Sequence, residues 1–192
     1  SPRNILREAR QLLDAGVSEL DLIAQDTTAY GHDQGKDTTL TGLLRSLDKL
    51  PGDFWLRLLY GYPSRVTDEL LECMAGSSHV CHYLDIPIQH SHPDILRAMR
   101  RASTGKSVRS LVARARHAMP DVVLRTTCLV GFPGETEAAF ERLMRFVQES
   151  RFERVGVFAF SAEEGTPAAA LDGQLPRHVR ESRRDALMEL QQ

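Results

Sequence analysis

Apolar residues recur along the chain with two different periods, and the segments that carry them alternate. Ile5, Leu6, Ala9, Leu12 and Leu13 fall at i, i+1, i+4, i+7 and i+8, the stripe of one helix face, and Gly16 stands where a left-handed residue would end that helix. Glu19-Leu-Asp-Leu-Ile-Ala-Gln25 then changes to strand character, and Asp26-Thr-Thr-Ala-Tyr-Gly-His-Asp33 is a loop rich in turn formers. The cycle repeats. Leu40, Leu43, Leu44 and Leu47 predict a helix, Phe54–Tyr60 a strand, and Pro63–Thr67 leads into a helix carrying Leu70, Leu71 and Met74. His79–Ile88 reads as the next strand, followed by helices over 92–102 and 106–118, a strand at Val122–Val130, a helix over 136–149 and a strand at Val155–Phe160. Residues 161–175 show no clear period. Pro176 to Gln192 is helical by pattern, with Arg177, Arg180, Arg183 and Arg184 ahead of Leu187, Met188 and Leu190.

Strands alternating with helices argue for an α/β protein with a parallel sheet and right-handed crossovers, because parallel neighbours need a connection long enough to hold a helix. The strands are too few to close an eight-stranded barrel. Since the pattern begins with a helix, a first strand and its loop are expected upstream of Ser1, which would leave the Glu19–Gln25 strand as an open edge available for self-association. The expected organisation is a core over 1–175 and an exit helix over 176–192.

Composition narrows the class. The chain has 192 residues, with 24 basic against 26 acidic side chains and a net charge of −2, which argues against wholesale coating of nucleic acid. No apolar run approaches the ~20 residues of a membrane helix, and the N-terminus has neither signal-peptide nor transit character. Cys73, Cys81 and Cys128 are odd in number and widely spaced, so neither a disulfide framework nor a CxxC knuckle is available, and a reducing, cytoplasmic compartment fits. One stretch departs from neutrality: Arg97, Arg100, Arg101, Lys106, Arg109, Arg114 and Arg116 stand against Asp94 alone. That flank suits an RNA or ribosome surface, or equally a solvated helix face.

Candidate chemistry gathers at the carboxyl ends of the strands, where ligands bind in parallel α/β architectures. Alternation places Asp85, Pro87 and Gln89 on one face of their strand and Arg125 and Thr127 on one face of theirs. Gln25, Gln89, Arg125 and Thr127 are therefore candidate ligand contacts; the alternative is that they hydrogen-bond one another or the loops. Gly131-Phe-Pro-Gly134 lacks the Lys-Ser/Thr of a P-loop and reads as a tight strand-to-helix turn, with Thr136 as N-cap and Glu137 in the first turn. Glycines there also permit close approach of backbone to a ligand. His90-Ser-His92, with His82 nearby, has no carboxylate or thiol at ligand spacing, so no metal ligand is assigned. Neither a Ser-His-Asp set nor a spaced acid pair is present, and no catalytic residue is assigned. Lys36, Lys49 and Lys106 fall in predicted loops or helices, which discounts an aldolase-like Schiff base.

Taken together, Ile23-Ala-Gln-Asp-Thr-Thr-Ala-Tyr-Gly-His-Asp33, Arg57-Leu-Leu-Tyr60 with Tyr62-Pro-Ser-Arg65, Tyr83-Leu-Asp-Ile-Pro-Ile-Gln-His90, Arg125-Thr-Thr-Cys-Leu-Val-Gly-Phe-Pro-Gly-Glu-Thr136 and Phe160-Ser-Ala-Glu-Glu-Gly-Thr-Pro167 resemble the radical S-adenosylmethionine methylthiotransferases. The likeness runs over the whole chain in order. The Gln-Asp-Thr-Thr and Tyr-Leu-Asp-Ile-Pro forms resemble the RimO branch, which modifies an aspartate of a small-subunit ribosomal protein, more than the MiaB branch, which modifies a tRNA adenosine. The resemblance implies a partial TIM-like (βα)6 barrel, S-adenosylmethionine and 4Fe-4S clusters as cofactors, and a ribosomal protein or particle as partner. By matched position it makes Gln25, Gln89, Arg125 and Thr127 lining residues of the cofactor cradle, with Gly131 and Gly134 shaping the turn beside it.

One departure is decisive. The family's Cys-x-x-x-Cys-x-x-Cys motif is absent, and the three cysteines present do not reproduce it. The resemblance therefore implies a truncated core, lacking the cluster loop, the amino-terminal domain and the carboxyl-terminal TRAM domain, and inactive as it stands. The rival readings are tRNA modification by the same chemistry and a non-catalytic module that docks on a ribosomal particle.

Overall fold

A computed structural model describes residues 1–35, 38–101 and 105–191. Lys36 and the final residues of the helices expected over 92–102 and 176–192 lie outside the described residues. The chain divides into two compact units, Ser1–Ile86 with Ala113–Val123, and Pro87–Val112 with Leu124–Gln192.

In the first unit, helix α1 (Pro2–Asp14) starts on a proline whose missing N–H belongs to an unpaired first turn anyway. It ends as expected at Gly16, whose φ of 89° is left-handed and whose N–H bonds Leu13 O at 2.9 Å. Strand β1 (Glu19–Leu22) pairs in parallel with β2 (Trp55–Leu58), in the register Leu20↔Leu56 and Asp21↔Arg57. Between them, α2 (Leu40–Leu47) is capped by the Thr39 hydroxyl, which accepts from Gly42 N at 3.0 Å. Helix α3 (Asp68–Ala75) is capped in the same way by Thr67, with Asp68 and Glu69 in its first turn. Leu44, Leu47, Leu56, Leu71 and Met74 are fully buried and form the core of this unit.

The strand expected over His79–Ile88 is broken. Val80 makes an isolated bridge to Leu56, regular strand β3 is confined to Tyr83–Asp85, and Gln89 makes a second isolated bridge, to Cys128. The causes are local. Tyr83 N turns back onto Cys81 O at 2.7 Å, Pro87 has no N–H to donate, and Gln89 is left-handed with φ 67°. Helix α4 (Pro93–Ala98) is likewise shorter than expected, because Arg100 takes φ 56° and Arg101 N closes the helix onto Leu96 O at 2.8 Å.

The second unit is built on β4 (Val123–Val130) and β5 (Arg154–Ala159), parallel with Thr127 opposite Gly156. Helix α5 (Gly105–Ala118), of which residues up to Val112 belong to this unit, precedes β4, and α6 (Glu137–Ser150) links the two strands, capped as expected by Thr136, which accepts from Ala139 N at 3.2 Å. Helix α7 (Arg177–Gln191) packs on β5 and α6 and buries Leu187 and Arg183. In β4 every second residue is buried, namely Leu124, Thr126, Cys128 and Val130, while Arg125, Thr127 and Leu129 are only half-buried. The aperiodic stretch 161–175 contains one short 3-10 turn, Pro167–Ala170, capped by Thr166.

A staple joins the end of α2 to the segment before Val80. The Asp48 carboxylate accepts from the Ser77 hydroxyl, from His79 N at 3.1 Å and from His79 Nδ1 at 3.0 Å. His79 Nε2 faces Gly52 O at 3.1 Å, and the ring stacks on Phe54 at 4.1 Å. Both ring nitrogens meet acceptors, an arrangement that only the imidazolium satisfies fully. Burial alone would raise the Asp48 pKa, but the bonds from Ser77 and His79 outweigh it and hold it below 3.8. Burial alone would lower that of His79, but the bond to Gly52 O and those to Asp48 raise it above 6.5. By linkage, the Asp48 contribution is lost as pH falls through its lowered value, and the His79 contribution as pH rises through its raised one. Asp48→Asn is therefore expected to destabilise the protein by ~1–3 kcal/mol. In urea unfolding the deficit should be greatest between pH 3.8 and 6.5 and shrink on both sides; a pH-independent deficit would overturn the assignment.

Candidate functional site

A parallel strand buried on both faces reads as a continuous apolar run. Strands β2, β4 and β5 instead alternate, and their half-buried faces lead to strand ends where several side chains are uncommitted. In the first unit the Asp26-Thr27-Thr28 motif is largely used to tie β1 to β2. Thr27 N bonds Tyr60 O at 3.1 Å, its hydroxyl donates to Leu59 O, and Thr28 Oγ1 accepts from Tyr62 N at 3.0 Å while bonding Asp26. Arg65 pairs with Asp26. Buried Asp85 accepts from Tyr60 N through Oδ2 at 3.2 Å and from Gly61 N through its carbonyl at 2.8 Å. Gln25, immediately before this motif, is exposed and makes no hydrogen bond with the described residues.

The other predicted site residues lie in the second unit. Gln89 spends its backbone on β4, with Gln89 N on Thr127 O and Leu129 N on Gln89 O, both at 2.8 Å, and leaves its half-buried side chain without a described partner. Thr127 is adjacent on the half-buried face of β4, and Arg125, partnered within the protein, shares that face. Opposite Thr127 the β5 residue is Gly156, so no side chain covers the threonine from that side. Gly156 was legible as a lone glycine inside a strand, a mark of close approach by a ligand or backbone. Two further features escape sequence reasoning. Tyr60 and Gln89, both at strand ends, hold left-handed backbones with φ 57° and 67°, a strain typical of functional positions.

The glycine turn has a packing role. Gly131 is left-handed at φ 74°, and a Cβ there would lie 2.8 Å from Arg180 Cβ, so α7 occupies the side-chain space. Gly134, at φ 82°, has open space around it and bonds Gly173 O at 3.0 Å through its N–H. Below the turn lies a wholly buried carboxylate, Glu135. Its Oε2 accepts from Gly131 N at 2.9 Å and lies 3.3 Å from His90 Nε2, poorly aligned for a hydrogen bond. Its Oε1 accepts from Arg183 Nη1 at 2.7 Å. His90 Nδ1 accepts from His92 N at 2.9 Å, which leaves the neutral ring's proton on Nε2, toward the carboxylate. Arg183 also pairs with Glu137 at 2.8 Å and lies 5.2 Å over the Phe140 ring. His90 is thus committed to this network, and among the described residues no group of three His, Cys, Asp or Glu suits a metal.

Several cations of the basic stretch seen in sequence have partners within the protein. Arg97 pairs with Asp94 and Arg109 with Glu149, each at 2.6 Å, Arg114 pairs with Asp68, and Arg101 donates to Pro87 O at 3.1 Å.

The family model of the radical SAM superfamily matches residues 1–147, most of the chain. The chain belongs to the radical SAM superfamily. Among curated relatives, the ribosomal protein uS12 methylthiotransferase RimO of Syntrophus aciditrophicus is 52% identical over 188 residues, 98% of this chain and 42% of the relative. RimO of Roseiflexus sp. is 50% identical over 98% of this chain and 40% of the relative. The chain thus spans well under half the length of these relatives. Among solved structures, HemN of Escherichia coli aligns over 96% of the chain at TM-score 0.65 and 19% identity, and TsrM of Kitasatospora setae over 82% at 0.65 and 16%. The α/β radical SAM fold expected from the sequence is the one found.

Radical SAM chemistry uses a cysteine-held iron–sulfur cluster, and the thiols present do not fit one. Cys73 lies in α3, Cys81 between β2 and β3, and Cys128 in β4. Burial raises all three pKa values, that of Cys128 to about 12, so none is poised as a thiolate. Anaerobic treatment of this chain with iron and sulfide is therefore expected to give no 4Fe-4S absorbance; a stoichiometric cluster would contradict the reading. The buried pair gives a second expectation. Arg183→Met strands the Glu135 carboxylate and should cost ~3–5 kcal/mol, partly recovered in Arg183→Met with Glu135→Gln. Urea unfolding measures both, and a loss under ~1 kcal/mol would mean that Glu135 finds another partner.

Proposed function

We propose that this chain is part of a cytoplasmic methylthiotransferase that adds a methylthio group to an aspartate of ribosomal protein uS12. The observation that carries the reading is the 52% identity, over 98% of the chain, to a relative named as a ribosomal protein uS12 methylthiotransferase. The same relatives favour the ribosomal-protein branch over the tRNA branch. Among the described residues no helix is long and apolar enough to cross a membrane, which agrees with work at the ribosome.

S-adenosylmethionine, when bound, supplies the radical and methyl chemistry; this chain's own residues supply the cradle. Gln25 in the first unit, and separately Gln89 and Thr127 in the second, offer amide and hydroxyl groups with no described partner, each suited to polar groups of such a ligand. Arg125 contributes positive charge on the same β4 face as Thr127, matching a carboxylate. Gly156 leaves the ligand room against Thr127, and the left-handed Gln89 backbone fixes where its amide points. Gly131 and Gly134 shape the adjoining turn.

The test places this chain in the position of its counterpart within a full-length RimO relative, in cells lacking their own uS12 methylthiotransferase. Mass spectrometry of uS12 should show the methylthio group. Gln89→Ala and Thr127→Ala should each lower modification roughly tenfold, about 1.4 kcal/mol, without lowering protein abundance. A well-folded chimera that leaves uS12 unmodified would reject the substrate assignment. Unaltered modification in both variants would reject the cradle.

A further inference from the structure

The second unit contains a cavity of about 230 Å³ that is separate from the strand-end residues and lined by Ser91, Gly105, Arg109, Arg142, Arg145, Phe146 and Glu149. Arg142, Arg145 and Glu149 are spaced by three and four residues along α6 and so share one helix face. Arg109 reaches that face from α5, pairing with Glu149 at 2.6 Å and lying 4.9 Å over the Phe146 ring. Glu149 is thereby occupied. Arg142 and Arg145 have no ion pair among the described residues, so cationic charge is in excess around the cavity.

Two further features point inward. Gly105 is the first residue of α5, a 14-residue helix with no acid in its first turn, so the positive end of its dipole lies at the cavity. A Cβ at Gly105 would lie 3.2 Å from Ser91 O, which shows how closely the helix start sits on that residue. Ser91 is only 1% exposed, lines the cavity, and its hydroxyl has no hydrogen-bond partner. A buried hydroxyl left unpaired is unfavourable unless something else completes it.

We infer that this cavity is a phosphate site, in which the oxygens of one phosphate group take hydrogen bonds from the Ser91 hydroxyl and the guanidinium groups of Arg142 and Arg145, with the α5 dipole behind them. Guanidinium forks suit a tetrahedral oxyanion, and the free hydroxyl adds a donor that a merely solvated basic face would not bury. An RNA backbone and free phosphate share this chemistry. The inference does not depend on the radical chemistry and is measurable on the chain without cofactor.

The experiment uses the whole chain and two probes, inorganic phosphate by calorimetry and a fluorescein-labelled oligouridylate by anisotropy. Arg142→Gln with Arg145→Gln is expected to weaken binding of the responding probe at least about tenfold and, for RNA, to reduce the log–log salt slope by about 0.7 for each phosphate that is no longer neutralised. Ser91→Ala should weaken it roughly three- to tenfold while leaving thermal stability unchanged or raised, since it removes an unpaired buried hydroxyl. Arg97→Gln, outside the cavity, is the control and should change neither. Oligouridylate binding that inorganic phosphate does not match identifies RNA as the source; phosphate binding without RNA binding identifies the free anion. Binding of neither probe, equal binding by all variants, or an equal loss in Arg97→Gln overturns the inference.

Discussion

Most of the candidate site follows from one constraint, that β2, β4 and β5 bury alternate residues and so a single face each. A β-strand directs alternate side chains to opposite sides, so β4 can set Leu124, Thr126, Cys128 and Val130 into the core and still carry Arg125 and Thr127 on the other side. In β2 the same rule buries Leu56 and Leu58 and leaves Arg57 half-buried, between Glu19 and the Tyr83 ring. A one-residue slip would exchange the two sets and bury Arg125 where Leu124 or Thr126 now sits, so the register of the core and that of the opposite face are fixed together. Arg57, Arg125 and Thr127 are tolerable on these faces because they stay partly in solvent.

The periodic parts of the fold were legible because periodicity reports burial directly. α2, α6 and β4 fall where their apolar spacing places them, and the Gly16, Thr67 and Thr136 boundaries follow from residues whose end-of-helix roles are intrinsic. The segment 79–88 failed the same method for a physical reason. Its composition suits a strand, but Tyr83 N is taken by Cys81 O, Pro87 has no donor and Gln89 turns left-handed, so only Tyr83–Asp85 remains regular. Left-handed backbone at a glutamine leaves no signature in a hydropathy pattern.

Charge was the least legible property, because a linear stretch says nothing of the acids that fold against it. Arg109 and Arg114 read as parts of a basic run, yet Glu149 and Asp68, about 40 residues or more away in sequence, claim them. Arg142 and Arg145, which no sequence window singled out, are the cations left without ion partners among the described residues around the cavity. Tertiary pairing thus decides which cations stay without a partner, in a way that a linear count does not reveal. The chemistry of a basic surface is therefore set by its unpaired members, not by its count.

Glu135 gives the glycine turn a structural purpose that comes before any ligand. A carboxylate with no exposure is tolerable only when its charge is matched and its oxygens are bonded, and here Arg183, Gly131 N and the nearby His90 ring supply that environment. Gly131 meets two demands at once. Its backbone N–H must point down to Glu135, and its missing side chain must admit Arg180 of α7. Any residue with a Cβ would fail the second demand even if it met the first. The turn at the end of β4 is thus held from beneath by the core.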